Sequence, residues 1–220
     1  MSLLKLLGLG ATFGCAASLL AQSPTLLWQV PSTTVDASTN ASNAFTTRIK
    51  AEEVVGSQPI ERAYITCGTN QFAFAVPPGY RADASNPKRV TVTSADLSIT
   101  ITFALSEDIG RIQMAESAEA CRTTLLEQYG GAKIISEFSK RAAGHDGPAF
   151  DLNWTNPGKS DESLRVAFIP SCAGLMEFTG KSHPDKFDQA RYALNFIMLS
   201  FRSNERGKLE DEIRPFSSKF

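Results

Sequence analysis

The chain has 220 residues, enough for one domain with appendages. Hydrophobic residues make up 42% and charged residues 20%, the composition of a folded protein, which excludes wholesale disorder. With 22 Lys and Arg against 23 Asp and Glu the net charge is −1. There is no basic excess to neutralise phosphates, so nucleic acid is not an expected partner.

The first 21 residues have the order of a secretory signal. Lys5 precedes an uncharged apolar run from Leu6 to Leu20, small residues surround its end, and the polar Gln22-Ser23-Pro24 follows. The run is shorter than the roughly 20 apolar residues that a spanning helix needs. The expectation is a signal peptide over 1–21, cleavage after Ala21, a secreted or periplasmic protein and no transmembrane helix in the mature chain. The alternative is lipid attachment at Cys15, preceded by Gly14 but also by the ill-fitting Phe13 and Thr12. Removing the signal takes Lys5 and no anion, so the mature charge is 21 − 23 = −2. Residues 22–45 are rich in Ser, Thr, Ala, Asn and Asp without any period, and read as a flexible linker.

Order is expected from residue 46. Thr46–Val55 reads as an edge segment and Arg62–Cys67 as a strand. After the turn Gly68-Thr69-Asn70 comes a second strand, Phe72–Val76. Pro77-Pro78-Gly79-Tyr80 then stops the run. Pro78 presets φ for the second position of a type II turn, and Gly79 supplies the positive φ of the third. Arg89–Thr93 alternates, and Leu97–Leu105 alternates more clearly, with Leu97, Ile99, Ile101, Phe103 and Leu105 on one face. Ser94-Ala95-Asp96 is the hairpin connection between them.

Ala115–Tyr129 has helical spacing, with Ala118, Cys121, Leu125 and Tyr129 on one stripe, Ser117 as N-cap and Gly130-Gly131 closing the end. Strands resume at Lys133–Arg141, Ala149–Thr155, Leu164–Ile169 and Cys172–Thr179. In the second of these Phe150, Leu152 and Trp154 alternate with Asp151 and Asn153. The connecting loops are Gly144-His145-Asp146-Gly147 and Asn156-Pro157-Gly158-Lys159. A closing helix over Asp185–Phe201, opened by His183-Pro184, places Phe187, Ala190, Leu194, Ile197, Met198 and Phe201 on one face. From Ser203 the chain carries four cations and four anions with no sustained apolar face, a polar tail over 203–220. This order gives a single α+β domain over 46–202, a central antiparallel β-sheet flanked by helices in an α/β/α sandwich.

Three cysteines remain after the signal: Cys67, Cys121 and Cys172. An odd count in an oxidising compartment allows at most one internal bridge. Cys121 and Cys172 are the favoured pair, because Cys121 should face the sheet and Cys172 should begin a strand within it. Gaps of 54 and 51 residues are unlike the close spacing of a zinc site, and only two histidines exist, so no metal site is expected. Gly158-Lys159-Ser160 lacks the leading glycine of a phosphate loop, where Asn153 stands instead. His145 beside Asp146 is the one candidate for acid–base work, and the glycines around it favour a mobile hairpin tip. His183 reads as the residue that opens the closing helix.

From Phe72 to Arg202 the chain resembles the PsbP-like family of exported α/β sandwich domains. The motifs are Phe72-Ala73-Phe74-Ala75-Val76-Pro77-Pro78-Gly79-Tyr80, the turn and strand Gly147-Pro148-Ala149-Phe150-Asp151-Leu152, and the closing Leu199-Ser200-Phe201-Arg202. Tyr80 stands where the family usually has Trp, and the three cysteines are not a family hallmark. The resemblance implies docking on other proteins, with no catalytic residue and no cofactor. The expected function is therefore an exported non-enzymatic binding or scaffold module, its partner another exported or membrane-associated protein. Its contact surface is expected at an exposed sheet edge or the hairpin loops. The alternative is a small exported hydrolase or thiol enzyme using His145.

Overall fold

A computed structural model describes residues 45–52, 59–155 and 160–204, all within one contact unit, Asn40–Phe220. The expected signal peptide, almost all of the linker, the loop at 156–159 and the tail beyond Asn204 lie outside the described residues, as does Cys15.

The strands divide between two antiparallel sheets. One holds β1 (Thr46–Glu52), β2 (Ile60–Cys67), β3 (Asn70–Ala75) and β11 (Arg202–Asn204), in the order β1-β2-β3-β11. The other holds β4 (Tyr80–Asp83), β5 (Arg89–Ser94), β6 (Ile99–Ser106), β7 (Lys133–Ala142), β8 (His145–Thr155), β9 (Asp161–Ser171) and β10 (Gly174–Ser182), in the order β4-β5-β6-β10-β9-β8-β7. The expectation of one central sheet flanked by helices is corrected here. The α+β class holds, but the break at Pro77-Pro78 separates the first strands into a sheet of their own. Neither proline has an N–H with which to extend the ladder.

Three α-helices complete the described residues: α1 (Ile109–Ala115), α2 (Ala118–Gln128) and α3 (Phe187–Ser200). Helix α3 packs against β3 of one sheet and β6 and β10 of the other. Their shared core gathers Ile65, Phe72 and Phe74 with Ile101, Phe103 and Phe178 and with Leu194 and Ile197. Helices α1 and α2 cover the opposite face of the seven-stranded sheet, over Phe150, Leu152, Leu164, Val166 and Phe168. The expected stripe of the closing helix is buried at Ala190, Leu194, Ile197 and Met198. A 3-10 turn over Pro184–Lys186 precedes α3, and Phe201 caps it.

Several boundaries differ from the sequence reading. Leu97 is 77% exposed at φ 59°, not on the buried face of β6. Asp96 accepts from the Ser94 hydroxyl at 2.6 Å and from the Ser98 N–H at 3.1 Å, so the hairpin turn runs through Leu97 and turns it outward. The helix expected over Ala115–Tyr129 is α2, begun at Ala118 behind the expected cap Ser117, and a further helix, α1, which was not expected, precedes it. Asp108 caps α1 by accepting from the Arg111 N–H at 2.8 Å, and Ser117 caps α2 by accepting from the Ala120 N–H at 3.3 Å. Ser203 and Asn204, assigned to the tail, continue as a strand opposite Phe72 and Gln71.

His145, Asp146 and Gly147 belong to the β7–β8 ladder and not to a loop, since His145 pairs with Ala142 and Gly147 with Lys140. The turn is the two residues Ala143 and Gly144, at φ 51° and 85°, the double positive-φ geometry that suits the twist of a tight hairpin. Gly147 faces a close approach of β9: a Cβ there would lie 1.9 Å from the Phe168 carbonyl oxygen. Gly147→Ala is therefore expected to force β8 and β9 apart and cost about 1–3 kcal/mol, measured as a fall in the denaturation midpoint. An unchanged midpoint would show that the ladder yields freely.

Candidate functional site

The site grows from the turn that carries the chain from one sheet to the other. The Val76 N–H donates to the Glu61 carbonyl at 2.8 Å, the last rung beside β2, and the Tyr80 N–H donates to the Pro77 carbonyl at 3.1 Å, closing the turn. Gly79 holds φ 79°, as its place in the turn requires. Pro78 and Gly79 stand exposed, while Pro77 is buried.

Helix α3 runs beside this turn. Asp188, Tyr192 and Phe196 are four residues apart, so they form one stripe along the outer helix surface. Turn and stripe together enclose a groove lobe of about 610 Å³ lined by Pro77, Pro78, Tyr80, Asp188, Tyr192 and Phe196. A second lobe of about 420 Å³ shares Pro77, Pro78, Tyr80 and Phe196 and reaches Pro59, Ile60 and Glu61. Tyr192 is 74% exposed, unusual for so large a ring. Burial, with the Asp96 charge adding to it, raises the Tyr80 hydroxyl, so it stays a hydrogen-bond donor at neutral pH. Among the described residues the charged side chains along the two lobes are Asp188 and Glu61, both acidic and exposed.

A second cluster lies on the α3 side of β7, β8 and β9. Arg165 donates through Nε and an Nη to the two oxygens of Asp151 at 2.6 and 2.7 Å. Both side chains are more than nine-tenths buried, at 8% and 6% exposure. The Arg165 guanidinium stacks 4.6 Å from the centre of the Phe138 ring, and the Ser136 hydroxyl donates to Asp151 at 3.2 Å. Lys140 Nζ donates to the Asn195 side-chain oxygen on α3 at 2.9 Å. Burial, with repulsion from Arg165, lowers the Lys140 ammonium. Asp151, which alternates with the apolar Phe150 and Leu152 along β8, is covered on its own face, and its charge is balanced within the fold.

The residues singled out from the sequence lie apart from the groove. His145 begins β8, and its neighbour Asp146 is engaged by Arg141 at 2.6 and 3.0 Å. His183 pairs with Asp185 at 2.6 Å on the surface. Cys121 is a free thiol, wholly buried beneath α2, where it donates to the Met114 carbonyl at 3.5 Å. The expected Cys121–Cys172 bridge is thus not made. Cys172 does not start a strand but lies exposed in the β9–β10 turn, in a cleft that it shares with Cys67 and Glu107 and that does not include His145.

Burial pushes the Cys67 thiol up to about 11, helped by its 3.3 Å hydrogen bond to Glu107, and burial pushes Cys121 up to about 11 as well. Both are protonated thiols at neutral pH, and the thiolate is the nucleophile. Iodoacetamide at pH 7.5 is expected to label Cys172 first and to reach Cys67 and Cys121 only after denaturation, read by peptide mass. Rapid native labelling of Cys121 would overturn this.

Among the described residues no group of three or more His, Cys, Asp or Glu is placed to hold a metal, and no helix is long and apolar enough to cross a membrane. Sequence reading missed the groove because its two walls are more than 100 positions apart in the chain. The signal present was the polar-face aromatic Tyr192, off the apolar stripe of α3.

No family model and no curated protein matches the chain. Among solved structures it is similar to LpqN of Mycobacterium tuberculosis, described as involved in cell envelope biogenesis, at 15% identity and a TM-score of 0.46, covering 74% of this chain and 92% of that one. It is similar to the Saccharomyces cerevisiae Ran-binding protein Mog1p at 12% identity and a TM-score of 0.42, covering 71% and 96%. It is also similar to a cyanobacterial PsbP, CyanoP of Synechocystis, at 12% identity and a TM-score of 0.42, covering 76% and 98%. The resemblance to PsbP-like domains read from Phe72–Tyr80 and the closing helix is thus accompanied by a resemblance to a solved PsbP.

Proposed function

We propose that the chain is an exported non-enzymatic binding or scaffold module whose partner is another exported or membrane-associated protein, met at the groove between the Pro77–Tyr80 turn and α3. The observation that carries this reading is Tyr192. It is a large aromatic side chain left in solvent beside two prolines, Tyr80 and Phe196, and among the described residues it is the one Phe, Tyr or Trp ring that is exposed rather than buried or half-buried. Aromatic anchors in a partly apolar depression are the groups that dominate protein recognition, because they bring much contact area at little rotamer cost. The expected surface at a sheet edge or hairpin loop becomes a groove between a turn and a helix.

Catalysis would ask for a base within reach of an activated nucleophile. His145 stands outside the cleft that gathers Cys67 and Cys172, and burial holds Cys67 and Cys121 protonated. Wild type and His145→Ala are expected to show no turnover on esterase, peptidase and glycosidase substrate panels. Turnover by wild type that vanishes in His145→Ala would replace the binding reading with the hydrolase one.

A further inference from the structure

We infer that the groove binds a proline-containing segment in the polyproline II conformation that carries a basic residue beside its prolines. This rests on the reading of the groove as a binding surface and names the chemistry of its occupant.

Three features select that occupant. The groove is ridged by rigid rings, with Pro77, Pro78 and Tyr80 on the turn and Tyr192 and Phe196 one helical turn apart on α3. Flat rings in a row offer stacking surfaces to pyrrolidine rings at a regular rise, and a preformed polyproline II segment loses little entropy on docking there.

The hydrogen-bonding character matches as well. A polyproline II backbone has no internal hydrogen bonds and prolines offer carbonyls only, so such a ligand needs donors from the protein. The groove supplies them in the Tyr80 and Tyr192 hydroxyls and the Gln189 amide. An amphipathic helix has its backbone satisfied internally and would leave these donors unused.

Charge sets the third requirement. Asp188 stands on one lobe and Glu61 on the other, with no cation among the described lining residues. Arg191 reaches Asp188 from outside the lining and is half-buried, but the Asp188 side chain is exposed to solvent, so a ligand cation can compete for the carboxylate. An acidic rim beside an apolar trough fits Arg or Lys next to proline and rejects an acidic ligand, because complementary charge raises encounter rates and like charge is penalised.

The test uses fluorescence anisotropy of a fluorescein-labelled peptide Arg-Pro-Leu-Pro-Pro-Leu-Pro with the chain from Gln22 to Phe220. Saturable binding is expected, weakened about tenfold by Tyr192→Ala. A Glu61→Lys, Asp188→Lys double variant should lose about fivefold with this peptide and gain with the version whose Arg is replaced by Glu. These three side chains are exposed, so Tyr192→Ala should keep the wild-type melting midpoint. The double variant should lose at most a few degrees, from the Arg191 pair and the first turn of α3. Both should stay folded at the assay temperature, which separates lost binding from lost fold. No saturable binding up to millimolar peptide would overturn the inference, as would binding indifferent to Tyr192→Ala or preference for an amphipathic helical peptide. A photocrosslinker at position 192 keeps the two readings distinct. One discrete adduct in the native exported fraction, with the proline peptide inert, removes only the ligand class. Absence of any adduct together with an inert peptide removes the groove as a binding surface.

Discussion

Asp151→Asn is expected to lose roughly 3–5 kcal/mol of stability, the range seen when one member of a buried ion pair is removed. Arg165 would then keep its charge at 8% exposure with its best acceptor neutralised. The cation cannot escape to water, since its guanidinium is held against Phe138 and its strand is central in the β10-β9-β8 part of the sheet. Lys140 and Arg191 add positive charge nearby, with Arg191 3.9 Å from the same carboxylate, so the loss is felt by more than one cation. Urea denaturation measures this as a fall in midpoint at constant slope. The paired replacement Asp151→Leu with Arg165→Met should be far milder than either single change, because it removes the desolvated charges together. A double variant as unstable as Asp151→Asn would show that the pair is held for its packing and not for its charge balance.

Phe201→Ala is expected to cost about 3–5 kcal/mol, as for a fully buried phenylalanine whose cavity cannot collapse. Phe201 is 0% exposed, and its ring lies 5.0–6.0 Å from four others, Phe72, Phe74, Phe103 and Phe178. Two of those rings belong to the four-stranded sheet and two to the seven-stranded sheet, with Phe201 itself at the end of α3. The position therefore joins all three layers of the main core. Relaxation would have to move two sheets at once, and β11 follows immediately, paired to β3 from Arg202. The Ala75 N–H also donates to the Ser200 hydroxyl at 3.0 Å, fixing the helix end against β3. A loss below about 1 kcal/mol would mean that the core refills the space. Tyr192→Ala on the same helix should leave the midpoint unchanged, because that ring meets solvent.

The local grammar of the chain is legible in its sequence. Pro78 and Gly79 announce the turn, Ser117 the start of α2, and Phe187 to Phe201 the buried stripe of α3, because each depends on backbone chemistry or on a period within a few residues. What neighbours do to one another over long distances was not legible. Alternation at Phe150–Trp154 states that a strand has two different faces, yet only the fold decides that α3, β7 and β9 cover Asp151 and supply Arg165. Short strands at 46–76 carry the same pattern in either sheet, and the second sheet exists because the prolines end one ladder before Tyr80 starts another. The groove is of the same kind: Pro78 and Tyr192 are chemically plain in the sequence. They become a surface only when burial of Phe201, Leu194 and Phe74 in one core brings the outer side of α3 beside the turn.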